Sequence, residues 1–93
     1  MAVQSKAVVS VLGFDRKGII ARVSAVLYEK GINILDISQT ILQGSFTMVM
    51  AVDVEKATVS VGDLRTALEQ LGEKMEIAIR IQREEIFNAM HRI

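Results

Sequence analysis

The sequence predicts a small α+β sandwich: a four-stranded antiparallel sheet with two helices on one face, plus a short C-terminal helix. Three observations predict it. Apolar spacing alternates between strand-like and helical in the order β-α-β-β-α-β. The second and third strands are separated only by Gln43–Gly44, so they form a hairpin, whereas each remaining pair is joined by a helix. Finally, 93 residues with 51% apolar content supply one modest core. Two β-α-β halves joined by a hairpin make the ferredoxin-like arrangement, expected as one domain over 1–93 with its core at about 6–82. Right-handed crossovers then put strands 1 and 3 in the middle and strands 2 and 4 at the edges.

Each element has its own signature. Lys6–Leu12 is too evenly apolar for an edge, which makes it a central strand. Ile19–Lys30 follows as a helix, with Ile19/Ile20, Val23 and Val26/Leu27 recurring three to four residues apart and Gly31 as a left-handed cap. Ile32–Leu42 is the second strand. Ile32 and Ile34 share one face while Leu35, Ile37 and Ile41 share the other, which predicts a bulge near Leu35–Asp36. Ser45–Asp53 alternates cleanly, with Phe46, Met48, Met50 and Val52 on the core face. Ser60 and Asp63 open the second helix as a capping-box-like pair; Val61, Leu64, Ala67/Leu68 and Leu71 point inward and Gly72 closes it. Met75–Gln82 is the fourth strand. Arg83–Ile93 carries Ile86/Phe87, Met90 and Ile93 at helical spacing, the signature of the short last helix.

Composition removes several functions. Net charge is zero, which argues against nucleic acid and anionic membranes. The absence of cysteine excludes disulfides, thiolate metal sites and cysteine nucleophiles. The apolar run Ala7–Leu12 is too short for a signal-peptide core or a membrane span, so a cytoplasmic protein is expected. The apolar content beyond the needs of one core predicts a second buried surface, most simply a subunit interface. His91, the lone histidine, gives no basis for a catalytic or metal site.

The stretch with chemical potential is the strand-to-helix elbow Leu12–Ile20, LGFDRKGII. A helix opening carries unpaired N–H donors and a partial positive charge, which suit a carboxylate or phosphate. Gly18 has no side chain where a ligand would approach the main chain, or where helix and sheet would pack closely. Asp15 either caps the helix or faces the ligand, and both roles can hold. Arg16 and Lys17 are either solvated or anion-binding, and Phe14 either walls a pocket or covers the core edge.

The pattern D-x-x-G-I at Asp15–Ile19, with G-I-N-I at Gly31–Ile34 and Asp36–Ile37 after the helix, resembles the ACT domain. The likeness runs from Lys6 to Gln82 and lies in the combination of elbow glycine, G-x-N-I and element order. It implies a regulatory module that binds small molecules, usually amino acids, and it is similar to small stand-alone members of that family. It further implies a homodimer, possibly a higher oligomer, in which the edges of strand 2 pair and the ligand lies at the interface. The elbow of one copy (Gly13, Phe14, Asp15, Arg16, Lys17, Gly18, Ile19) would meet the start of strand 2 of the other (Asn33, Ile34). An α-carboxylate would sit on the elbow amides and an α-ammonium on Asp15 or the Asn33 carbonyl. Asp15 is a carboxylate where some members carry an amide, and Gly13 offers no side chain. No cofactor and no metal are expected, and the output would reach a protein partner in amino-acid metabolism or a regulator.

Other functions fit the same frame. A purely structural assembly module would use the interface without a ligand. An acylphosphatase-like enzyme would use Arg16 and Asn33, but the elbow lacks the run of N–H donors a phosphate cradle needs. An RNA-binding sheet needs stacking aromatics on strands 1 and 3, where only Phe46 is present.

Overall fold

The structure is a computed structural model that describes residues 6–14 and 18–83. Its elements are β1 (Lys6–Phe14), α1 (Ile19–Glu29), β2 (Asn33–Leu42), β3 (Ser45–Asp53), α2 (Val61–Met75) and β4 (Ala78–Arg83). The sheet order is β2-β3-β1-β4, with every neighbouring pair antiparallel, which is the expected arrangement with β1 and β3 central. The predicted C-terminal helix lies outside the described residues.

The core is one cluster between the helices and one face of the sheet. β1 contributes Ala7, Val9 and Val11; β3 contributes Phe46, Met48, Met50 and Val52; β4 contributes Ile79 and Ile81, with Ile77 just before it. The helices close over them with Ile19, Val23 and Leu27 from α1 and Leu64 and Leu68 from α2. Every alternate residue of β3 from Phe46 to Val52 is buried, so the period-two reading of that strand holds throughout.

The turn chemistry holds as well. Gln43 and Gly44 both take positive φ (52° and 82°), as a type I′ hairpin requires. The β2–β3 register shifts between Ile34 and Asp36, so Leu35 is the extra residue of the expected bulge. The bulge keeps Ile34 opposite Val52 and brings Ile37 opposite Met50 and Ile41 opposite Phe46. All three isoleucines therefore share the helix-side face. Gly31, at φ 75°, ends α1 in the left-handed conformation, and Ile32 N–H bonds back to the Leu27 carbonyl at 2.9 Å. The Ser60 hydroxyl accepts from the Asp63 N–H at 3.1 Å and caps α2.

Three boundaries differ from the sequence reading by two residues or more. β1 continues two residues past Leu12, because Gly13 and Phe14 find ladder partners in Phe46 and Ser45 across the sheet. α2 does not close at Gly72 but runs to Met75, where Glu76 at φ 60° is the cap. Gly72 is buried within the helix because a Cβ there would come within 2.7 Å of the Ile77 carbonyl oxygen. β4 accordingly starts at Ala78, three residues later than Met75. Ile20 also departs from the inward set, being 37% exposed.

Candidate functional site

β1 delivers the chain to the top of the sheet at Phe14, and α1 starts back down from Gly18, its N-cap residue at φ 82°. The cap position therefore falls on Gly18 and not on Asp15. Asp15, Arg16 and Lys17 lie outside the described residues. The first intrahelical bond runs from Arg22 N–H to the Gly18 carbonyl at 2.9 Å. The N–H groups of Ile19, Ile20 and Ala21 precede it and have no acceptor within the helix.

Gly18 separates the two roles open to it. Among the described residues a Cβ built there meets nothing within 4 Å, so this glycine does not serve close packing of the helix on the described sheet. Its backbone conformation, at φ 82°, favours glycine. Gly13 is the opposite case: a Cβ there would lie 2.6 Å from Ile77 Cγ2, so its missing side chain admits Ile77. Ile19 is buried, so only its backbone is available to a ligand, whereas Phe14 is 70% exposed. The exposed Phe14 does not cover the core.

The other predicted residues lie at the far end of the sheet. Asn33 pairs with Asp53, and β2 ends where Leu42 pairs with Ser45. Ile34 packs against the core. Exposed Asn33 lines a pocket of about 310 Å³ with Gly31, Asp53, Glu55 and Lys56. The charged residues of that pocket were not singled out from the sequence; the hairpin register, which sets Asp53 opposite Asn33, was the available signal. Eleven residues of α1 separate Gly18 from the turn that leads to Asn33. At a rise of about 1.5 Å per residue that is about 16 Å, too far for one small molecule to touch both within a single chain.

The larger concavity lies elsewhere, as a groove of about 890 Å³ between α2 and the outer side of β4. It shares Leu12, Gly13 and Phe14 with the elbow. Among the described residues no group of three or more His, Asp or Glu is placed to hold a metal ion. None of the described helices is long and apolar enough to cross a membrane.

Comparison with known proteins agrees with this fold. A model of the ACT domain family matches residues 5–82. A UPF0237 protein of Methanopyrus kandleri is 49% identical over 89 residues, covering 96% of this chain and 99% of that protein. An ACT domain protein from Streptococcus pneumoniae superposes with a TM-score of 0.77 at 41% identity, covering 92% of this chain and 97% of that one. The regulatory subunit of aspartate kinase from Thermus thermophilus shares the fold, with a TM-score of 0.67 at 21% identity over 88% of this chain and 53% of that one.

Proposed function

The chain belongs to the ACT domain family, whose members are ligand-binding regulatory modules, and from that premise we propose that it is a non-catalytic sensor of a small zwitterion, an amino acid, acting as a homodimer with the ligand at the subunit interface. The observation that carries this reading is Gly18: a positive-φ glycine at the opening of α1 with none of the described residues within 4 Å of where a Cβ would stand. A carboxylate laid on that opening meets the first-turn amides and the positive end of the helix dipole.

Topology supports the second copy. β2 is a ten-residue edge strand whose helix-side Ile37 and Ile41 remain 40% and 56% exposed. Two such edges paired antiparallel about a two-fold axis would bury these side chains. The same axis sets the start of one β2 beside the end of the other, bringing Asn33 of one copy toward the elbow of its mate. The Asn33 carbonyl would then take the ligand's ammonium group while the elbow amides hold its carboxylate. Ligand binding across the interface would favour the dimer by mass action. The dimer would in turn present the ligand state to a protein partner, and the protein would work in the cytoplasm.

Calorimetry with the full set of amino acids, on protein whose oligomeric state is measured by sedimentation, tests this. Binding that is lost in Gly18→Asn supports it. No heat with any amino acid at millimolar concentration, with a dimer present, leaves the assembly module as the reading instead.

A further inference from the structure

Helices α1 and α2 cover one face of the sheet, and the even-numbered residues of β1 lie on the other. Along that second face, exposure falls from 70% at Phe14 and 57% at Leu12 to 6% at Val8. Among the described residues every other buried apolar side chain belongs to the core cluster, and Val8 does not. Its ladder partner Ala51 and its strand neighbour Ser10 are too short to roof it. They are half-buried themselves, as are Val49 and Gln82 beside them. Further up the same face Thr47 and Ala78 are exposed. A cover therefore lies over the lower half of this face only. Val8 is this buried within one chain, so the cover is intramolecular.

We propose that residues 84–93 form a helix that crosses the lower half of this face as a third layer, seating Ile86, Phe87, Met90 and Ile93 on Val8, Val49 and Ala51. β4 ends at Arg83, one step past the Ala7 partnership and beside Val8, so the chain leaves the sheet next to the covered patch. Ten helical residues span about 15 Å, and the distance from β4 across β1 to β3 is about 10 Å. The four apolar side chains recur at i, i+1, i+4 and i+7 and form one stripe. Glu84 and Glu85 open the segment and His91 and Arg92 close it, an order of charge that suits the helix dipole.

The other parts of the chain fit this place less well. Residues 1–5 adjoin β1 at the same end but offer only Met1 and Val3 as large apolar side chains, too few for a patch that reaches from Val8 to Val49. Residues 15–17 follow β1 at its opposite end, beyond Phe14. A roofed lower half keeps this face from stacking on the same face of a second copy, which leaves the sheet edges for self-association. The cover itself needs neither a ligand nor a second copy, so this proposal and the functional reading can fail separately.

The test uses the full chain. Nuclear Overhauser contacts are recorded on uniformly labelled protein and on an equal mixture of labelled and unlabelled chains. Contacts from the Phe87 ring to the Val8 and Val49 methyl groups are expected, all within one chain. Three results overturn the proposal: Val8 methyl groups in contact with Met1 or Val3 instead, contacts that run only between differently labelled chains, and a Phe87 ring that touches no residue of this face. Thermal melting gives a second reading. Phe87→Ala should lower the melting temperature by about 5 °C or more. Asn88 stands two residues from both Ile86 and Met90, on the opposite side of the helix, and Asn88→Ala should change the melting temperature by less than about 3 °C. Equal shifts from the two variants also overturn the proposal.

Discussion

Gly72 and Ile77 are clasped backbone to backbone. The Ile77 N–H donates to the Gly72 carbonyl at 2.9 Å, and a Cβ on Gly72 would come within 2.7 Å of the Ile77 carbonyl oxygen. The turn from α2 into β4 closes this tightly because the helix has no side chain there. Gly72→Ala gains about 1 kcal/mol of helix propensity but pushes a methyl group into backbone that the sheet holds, an overpacking cost of about 1–3 kcal/mol. Net destabilisation of up to about 2 kcal/mol is expected in urea unfolding. Gly62 in the same helix is the contrast, since a Cβ there meets only Ser60 Oγ at 3.8 Å. Gly62→Ala should stabilise by about 0.5–1 kcal/mol. Opposite signs within one helix separate space from propensity, and equal signs would refute the clasp.

Ser60 satisfies one of the orphan N–H groups at the start of α2 through its 3.1 Å bond from Asp63. Ser60→Ala should cost about 1 kcal/mol in the same unfolding measurement, and Ser60→Asp should recover most of it.

Gly18 calls for two substitutions read side by side. Asn tolerates the left-handed conformation that the φ of 82° demands, and its Cβ would meet none of the described residues within 4 Å. Gly18→Asn should therefore change stability by less than about 1 kcal/mol yet block a ligand resting on the elbow amides. Gly18→Val adds strain of about 1–3 kcal/mol and loses stability and binding together. Thermal melts with calorimetry distinguish them; an Asn variant that binds like the parent would remove the elbow from the site.

Ile37 and Ile41 lie on the helix-side face of an edge strand, half-exposed in the single chain. Ile37→Lys with Ile41→Lys should leave monomer folding near that of the parent and weaken self-association at least about tenfold, since two buried-interface side chains contribute more than about 1.4 kcal/mol. Sedimentation equilibrium reads it. Unchanged association would move the interface away from β2.

Much of the fold was legible because local rules agreed with one another. The alternation of Phe46, Met48, Met50 and Val52, the Gln43–Gly44 turn, the Leu35 bulge and the Ser60 cap each rest on neighbours in the chain. The expectation failed at Gly72, which reads from sequence as a helix terminator. The reason for that glycine is a backbone oxygen five residues on, meeting it through a turn that sequence spacing does not reveal.

By itself the sequence determined the element order, the core face of each strand and the elbow as the place where helix amides open, since these follow from side-chain period and turn chemistry. Tertiary structure decided which glycine does what: Gly13 and Gly72 admit Ile77, whereas Gly18 packs against none of the described residues. It also decided that Gly18 and Asn33 stand at opposite ends of α1, and that a groove of mixed charge runs between α2 and β4. Those facts depend on which elements lie side by side, and that is fixed by the packing of the whole sheet against its helices rather than by any stretch of the chain.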